Sequence, residues 1–190
     1  MNPAPPAKAP VPKLAADIAR PLNLSDAGRA LVAPTHTARQ YLDALTAANH
    51  HDDALRFLAA ALPKRESVWW GICCVKEAMK TMPEPQAKAL AAAERWVKDP
   101  NDANRRAAGA TSDVSGVGNP PGALALGAFV SGGSLAPTNV PAVPPREDLT
   151  GQAVGGALVL ASITHPETSE TTKKRFLALG GEIAAGKNRW

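Results

Sequence analysis

Apolar residues recur along this chain at intervals of three and four, the spacing that puts side chains on one face of an α-helix, and they nowhere alternate for long enough to predict a strand. The strongest series is Val68, Ile72, Val75, Met79 and Met82, which predicts a helix carrying the Trp69-Trp70 pair with all five residues on its core face. Upstream, Ala54, Leu55, Leu58, Ala59 and Leu62 form a second stripe that Pro63 stops. Asp52 and Asp53 stand at its start, where the helix dipole favours acidic side chains. Before it, Thr37 and Gln40 have the spacing of a capping box, and Tyr41, Leu42, Leu45 and Ala48 follow, so a helix is expected over about 37–49.

Downstream, Pro83 and Pro85 interrupt the pattern, after which Ala87, Leu90, Ala91, Ala93, Trp96 and Val97 predict a helix that ends at Asp99-Pro100. Residues 101–110 read as a short helix, followed by a breaker-rich stretch over 112–118. Asn119 then has cap chemistry and Pro120 a favoured first position, opening an almost wholly apolar helix through 123–130 that should be buried. The glycine- and proline-rich stretch at about 131–147 is longer than most connections in compact domains, and is therefore either pinned to the surface or functional.

Over 149–164 the chain reads as a helix despite Gly151, Gly155 and Gly156, and glycines tolerated in a helix imply close backbone packing. Thr164 and Glu167 again have capping-box spacing, opening a last helix through Phe176, Leu179 and Ile183. Residues 1–21 carry six prolines with alanine and lysine and show no apolar period, the composition of a flexible arm. The expectation is all-α: a single compact domain over 22–190 built of about seven to eight short helices, preceded by a Pro/Ala-rich arm over 1–21.

Composition adjusts this picture in three ways. No run approaches the roughly 18–20 apolar residues of a membrane-spanning helix. The proline-broken N-terminus also lacks the apolar centre of a secretory signal, so no membrane insertion and a cytoplasmic location are expected. Adjacent Cys73 and Cys74 diverge on a helix and cannot bond to each other without breaking it, which fits free thiols in a reducing compartment. The pI of about 9.3 comes from the ends: residues 1–21 carry a net +2 and residues 171–190 a net +4, which leaves −2 between them. Nucleic-acid binding is therefore not expected, because Arg95, Lys98, Arg105 and Arg106 lie in a nearly neutral body with no interleaved aromatic residues.

Few residues carry candidate chemistry. Consecutive helical positions diverge by about 100°, so Trp69 and Trp70 cannot face the same neighbour. Trp69 lies beside the core stripe, and Trp70 is assigned to a groove rim as an aromatic anchor. His50, His51, Asp52 and Asp53 are metal-ligand types with His36 nearby, but they lack the spacings of a zinc site, so a helix start is the preferred reading and a metal-binding or enzymatic role the alternative. Cys73 and Cys74 have no feature that lowers a thiol pKa and are assigned to packing. Ser131, Gly132, Gly133, Ser134 and Leu135 offer amides and hydroxyls but neither a phosphate loop nor a nucleophile elbow. Lys173, Lys174 and Arg175 precede Phe176 and could dock on an acidic partner. No catalytic residue, metal ligand or cofactor site is predicted. The candidate partner-binding positions are Trp70, Ser131 to Leu135, and Lys173, Lys174 and Arg175.

Several separated motifs occur in one order: Val68-Trp69-Trp70 with Cys73; Ala92-Ala93-Glu94-Arg95-Trp96-Val97 with Pro100; Arg105-Arg106-Ala107-Ala108; and the stretch from Ser131-Gly132-Gly133-Ser134 through Pro137, with Val143-Pro144-Pro145. In these the chain resembles DUF6931, a bacterial family of unknown function, over roughly 55–165. The resemblance implies no catalytic residues. It implies an association with type VI secretion genes and hence an adaptor, effector-chaperone or accessory role, with another protein as partner: a secretion component, an effector or a toxin. An immunity protein that neutralises a secreted toxin is the alternative reading of the same resemblance.

Overall fold

The computed structural model describes residues 14–187 and Trp190. It is all-α, as the periodicity predicts: among the described residues there are ten α-helices, eight of them of seven residues or more, and no strand. In chain order they are α1 (Ala15–Ala19), α2 (Asp26–Ala30), α3 (Ala38–Ala47), α4 (His51–Ala61), α5 (Lys64–Ala78), α6 (Glu84–Lys98), α7 (Asp102–Ser115), α8 (Pro120–Phe129), α9 (Leu149–Ser162) and α10 (Ser169–Ala184).

The main core lies where α5, α8 and α9 meet, closed on one side by α6 and α7 and on the other by α4 and α10. The glycines of α9 have the role predicted for them. At Gly151 a Cβ would sit 2.5 Å from the Ala60 Cα, and at Gly155 one would sit 2.9 Å from the Arg56 Cα, so α4 and α9 meet backbone to backbone. Gly156 faces open space instead. With α9 on one side of α4 and a second cluster on the other, Ala54, Leu55, Phe57, Leu58 and Ala59 are all buried, more of the helix than one stripe would cover.

Phe57 and Ala54 belong to a second, smaller cluster with Tyr41 and Leu45 of α3 and with Ala15, Ala19, Leu22 and Leu24. This corrects the expected arm over 1–21. Residues 14–21 contain α1, whose Ala15 and Ala19 are buried, and the flexible-arm assignment for residues 1–13 lies outside the described residues. The composition misled because a five-residue helix is too short to show a period. Helix α2, also five residues, was missed for the same reason.

Helix ends follow local chemistry. The Thr37–Gln40 capping box is present on α3, Asn101 caps α7, and Asn119 caps α8 through the Gly122 amide. Three boundaries depart from expectation. Helix α5 ends at Ala78, so Met79 and Met82 are half-buried residues beyond it rather than its last core positions. Helix α7 runs on through the expected breakers to Ser115, because Ser112 turns its hydroxyl to the Gly122 carbonyl at 2.9 Å, and it stops at Gly116 with φ +77°. The Thr164–Glu167 capping box does not form. A 3₁₀ turn at Pro166–Thr168 occupies its place, and α10 starts at Ser169.

Candidate functional site

A groove of about 600 Å³ runs where α1 and α3 meet the end of α4 and the start of α9. Ile18, Ala38, Ala60, Ala61 and Leu62 supply small apolar side chains along it, and Asp17, Lys64, Glu147 and Asp148 supply polar ones. The polar groups are all partnered. Asp17 pairs with Arg20 at 2.9 Å and Lys64 with Glu147 at 3.2 Å, and Asp148 accepts from both Arg146 and Gln152. The Arg146 guanidinium holds the Asp148 carboxyl below its usual range, so it stays an anion. Such a groove offers shape and apolar surface rather than a group poised to move a proton.

The sequence placed candidate residues elsewhere, and the structure redistributes them. Trp70 is fully buried. Its indole N–H donates to the Phe176 carbonyl at 2.8 Å, and the bare Cα of Gly180 leaves room for its ring. It is a core residue, so the assignment to a rim is corrected. Trp69 is the half-buried member of the pair, against the edge of the main core. The reason is geometric: α5 presents its Trp70 side to α10, which sequence proximity to the Val68–Ile72 stripe could not reveal.

The basic triplet also divides. Lys173 is buried and pairs at 2.8 Å with both Asp52 and Glu170, Lys174 is exposed, and Arg175 pairs with Glu77. No contiguous basic face results, which corrects the expectation for Lys173. Burial pulls the Lys173 ammonium down, but its bonds to Asp52 and Glu170 outweigh that and leave it above its ordinary value. Glu170, which also meets His51 Nδ1 at 2.8 Å, is held below the usual range, first by Lys173 and then by His51.

Three of the four residues at 50–53 therefore join elements. His51 and Asp52 reach α10, while Asp53, only 5% exposed, turns the other way. Its Oδ1 accepts the Ser25 amide at 2.9 Å and its Oδ2 the Ser25 hydroxyl at 2.5 Å, and Ser25 in turn caps α2 through the Gly28 amide. Among the described residues no three His, Cys, Asp or Glu side chains are grouped to hold a metal ion.

The loop carrying Ser131, Gly132, Gly133, Ser134 and Leu135 is pinned from below. Ser131 accepts from Lys64 through its carbonyl, Gly133 sits at φ +62° over the Arg105 guanidinium, and the Ser134 carbonyl accepts from Arg105 at 2.9 Å. The Ser134 hydroxyl oxygen accepts the Ala136 and Val143 amides, and the Leu135 amide reaches the Val143 carbonyl. Arg106 adds a bond to the Ala136 carbonyl. Two of the motifs noted in the sequence, Arg105-Arg106 and residues 131–137, are thus two sides of one contact.

A family model of a family of unknown function matches residues 41–184. The chain belongs to the DUF6931 family. No curated protein and no solved structure matches it. The DUF6931 match starts at Tyr41, the first fully buried side chain of α3, and ends at Ala184, the last residue of α10. The main core is therefore the family's, whereas α1 and α2 lie before the matched segment. Sequence reasoning missed Ser25, Asp53 and Arg105 as organising residues. Asp53 and Arg105 carried a usable signal, being charged residues in line with helix faces that turn out buried.

Among the described residues no helix is long and apolar enough to cross a membrane. The two cysteines are held as thiols. Burial pushes Cys73 up to about 11 and Cys74 well above its ordinary value.

Proposed function

We propose that this DUF6931 member is a non-enzymatic protein-interaction module that serves as an adaptor or accessory protein of a bacterial type VI secretion system. The observation that carries the interaction reading is the groove between α1, α3, α4 and α9. It pairs an apolar lining of small side chains with a rim of ion-paired groups, the surface of a docking site for a polypeptide segment. Lys173, Arg175, Asp52, Asp53 and Arg105 are engaged in holding elements together, and both thiols are driven away from the thiolate form, which supports binding over catalysis. The secretion context rests on the family resemblance.

Co-expression with the secretion components and effectors encoded beside its gene tests the proposal. Wild-type chain should co-purify with one of them in fixed stoichiometry. Ala61→Arg, which places a charge in the groove, should abolish that capture while leaving the melting temperature within a few degrees of wild type. A chain that emerges alone beside every such neighbour would sink the reading.

A further inference from the structure

Helices α1 and α2 form a lid of a defined kind. With the residues that connect them, they cover a face made by Tyr41 and Leu45 of α3 and Ala54 and Phe57 of α4, using Ala15 and Ala19 of α1 and Leu22 and Leu24 of the connection. Tyr41 and Phe57 meet edge to face at 4.8 Å between centroids and give that face a rigid aromatic floor. The face lies within the family-matched segment, and the helices covering it do not. The polar fastenings are local: the Tyr41 hydroxyl donates to the Gly28 carbonyl at 2.8 Å, the Ala15 amide to the His36 carbonyl at 3.0 Å, the Gln152 side-chain amide of α9 to the Pro21 carbonyl at 3.0 Å, and Ser25 gives its two bonds to Asp53.

Asp53 sets the face apart from ordinary core. A carboxylate 5% exposed, whose hydrogen bonds all go to Ser25, is a poor way to stabilise a permanent interior, because a packed apolar residue there would avoid its desolvation. It is a good way to choose a ligand, because any segment that covers it must bring an amide and a hydroxyl to the same spot. Gly28 shows how close the fit is: a Cβ there would lie 2.8 Å from the Asp53 Cγ.

We infer that the α3–α4 face is a receiving site for a partner-protein segment that runs as a short helical turn followed by a non-helical stretch, and that residues 15–30 occupy it in cis as an autoinhibitory cap. The partner segment carries small side chains at two positions four apart, leucine-sized ones seven and nine positions after the first, and then a serine or threonine for Asp53, the pattern Ala15, Ala19, Leu22, Leu24, Ser25. The inference rests on the interaction-module reading and adds a second seat beside the groove, beneath residues 15–30, whose occupation would also remove the α1 wall of that groove.

The test uses full-length chain and a fluorescein-labelled peptide of residues 14–31 as the probe, read by anisotropy, with hydrogen exchange of the α1–α2 amides measured in parallel. In Gly28→Val the cis segment no longer seats against Asp53, whereas the peptide keeps its glycine. That variant should bind the peptide at least tenfold more tightly than wild type and lose protection at residues 15–30 only. Adding Asp53→Ala should cancel the gain. Ser25→Ala, a milder opening, should fall between wild type and Gly28→Val, and it decides the matter if the valine variant does not fold. The inference is overturned if both variants bind no better than wild type, if binding is indifferent to Asp53, or if the opened chains pair into dimers that excess peptide does not dissociate, since the occupant would then be a second copy. Wild-type chain can still capture a secretion component when the peptide assay fails, so failure here is distinguishable from failure of the module reading.

Discussion

Arg105 holds Phe129 in two ways: its guanidinium lies 5.0 Å from the ring centroid, and its Nη1 donates to the carbonyl of the same residue at 2.7 Å. A single side chain, 4% exposed, thereby fixes the end of α8, the first turn of the loop that follows it, and the start of α7 through Asp102. Arg105→Ala leaves the Phe129 and Ser134 carbonyls short of a donor and should cost about 2–4 kcal/mol. Asp102→Ala removes only the exposed partner and should cost clearly less than Arg105→Ala. Urea unfolding midpoints at constant m-value decide it, and an Arg105→Ala chain within about 0.5 kcal/mol of wild type would contradict the pinned loop.

The three glycines of α9 should respond in opposite directions. Gly156→Ala adds a methyl group to open space on a helix and should stabilise by about 0.5–1 kcal/mol. Gly151→Ala drives a methyl group into the backbone of Ala60 and should destabilise by about 2 kcal/mol or more, with Gly155→Ala between the two. Thermal melts of the three variants under one buffer condition check the order.

The Glu170 cluster predicts a pH dependence whose sign follows from its shifts. Glu170 is depressed in the folded chain, so its contribution is complete above its ordinary value of 4.5 and is lost as the pH falls through the lower folded value. Lys173 is raised, so its contribution is complete below 10.5 and is lost only as the pH rises through the higher folded value. Between these limits the cluster adds a flat contribution. Glu170→Gln should lower stability at pH 7 by about 0.5–1 kcal/mol, kept small because the carboxylate is largely solvent-exposed. The gap to wild type should narrow as the pH falls below 4.5 and close once it has passed through the lower folded value of Glu170. A gap that persists there would show that the side chain acts by packing rather than by charge.

Cys73 and Cys74 should be sluggish thiols. With Cys73 at about 11, fewer than about one molecule in a thousand is thiolate at neutral pH. Reaction with a disulfide reagent at pH 7.4 should run about a hundredfold slower than for a free cysteine at Cys73, and at Cys74 should await unfolding. Two fast equivalents in the native chain would refute the burial assigned to both.

Periodicity was enough to recover the family core. Ala54, Leu55, Leu58 and Ala59, the Thr37–Gln40 and Asn119 caps, and the close approach implied by Gly151 and Gly155 are where the pattern predicts them. What it could not reveal are contacts between residues far apart in the chain. Trp70 is buried because α10 lies over it, Lys173 because Asp52 comes from α4, and Asp53 because α2 closes on it. Each of these side chains is ambiguous on its own helix, and a neighbour more than twenty-five residues away decides where it goes. The short helices α1 and α2 were hidden for a different reason: five residues hold little more than one turn, too little to repeat a pattern.

Helix α4 lies between both clusters, giving Ala54 and Phe57 to the smaller and Leu55, Leu58 and Ala59 to the larger. Of its residues 53–59 only Arg56 is not buried. It therefore behaves as a shared wall: a shift of its axis that relaxes one cluster compresses the other through the backbone contact at Gly151 and Gly155. Whatever loads the α3–α4 face therefore bears on the one helix that α9 presses against backbone to backbone from the other side.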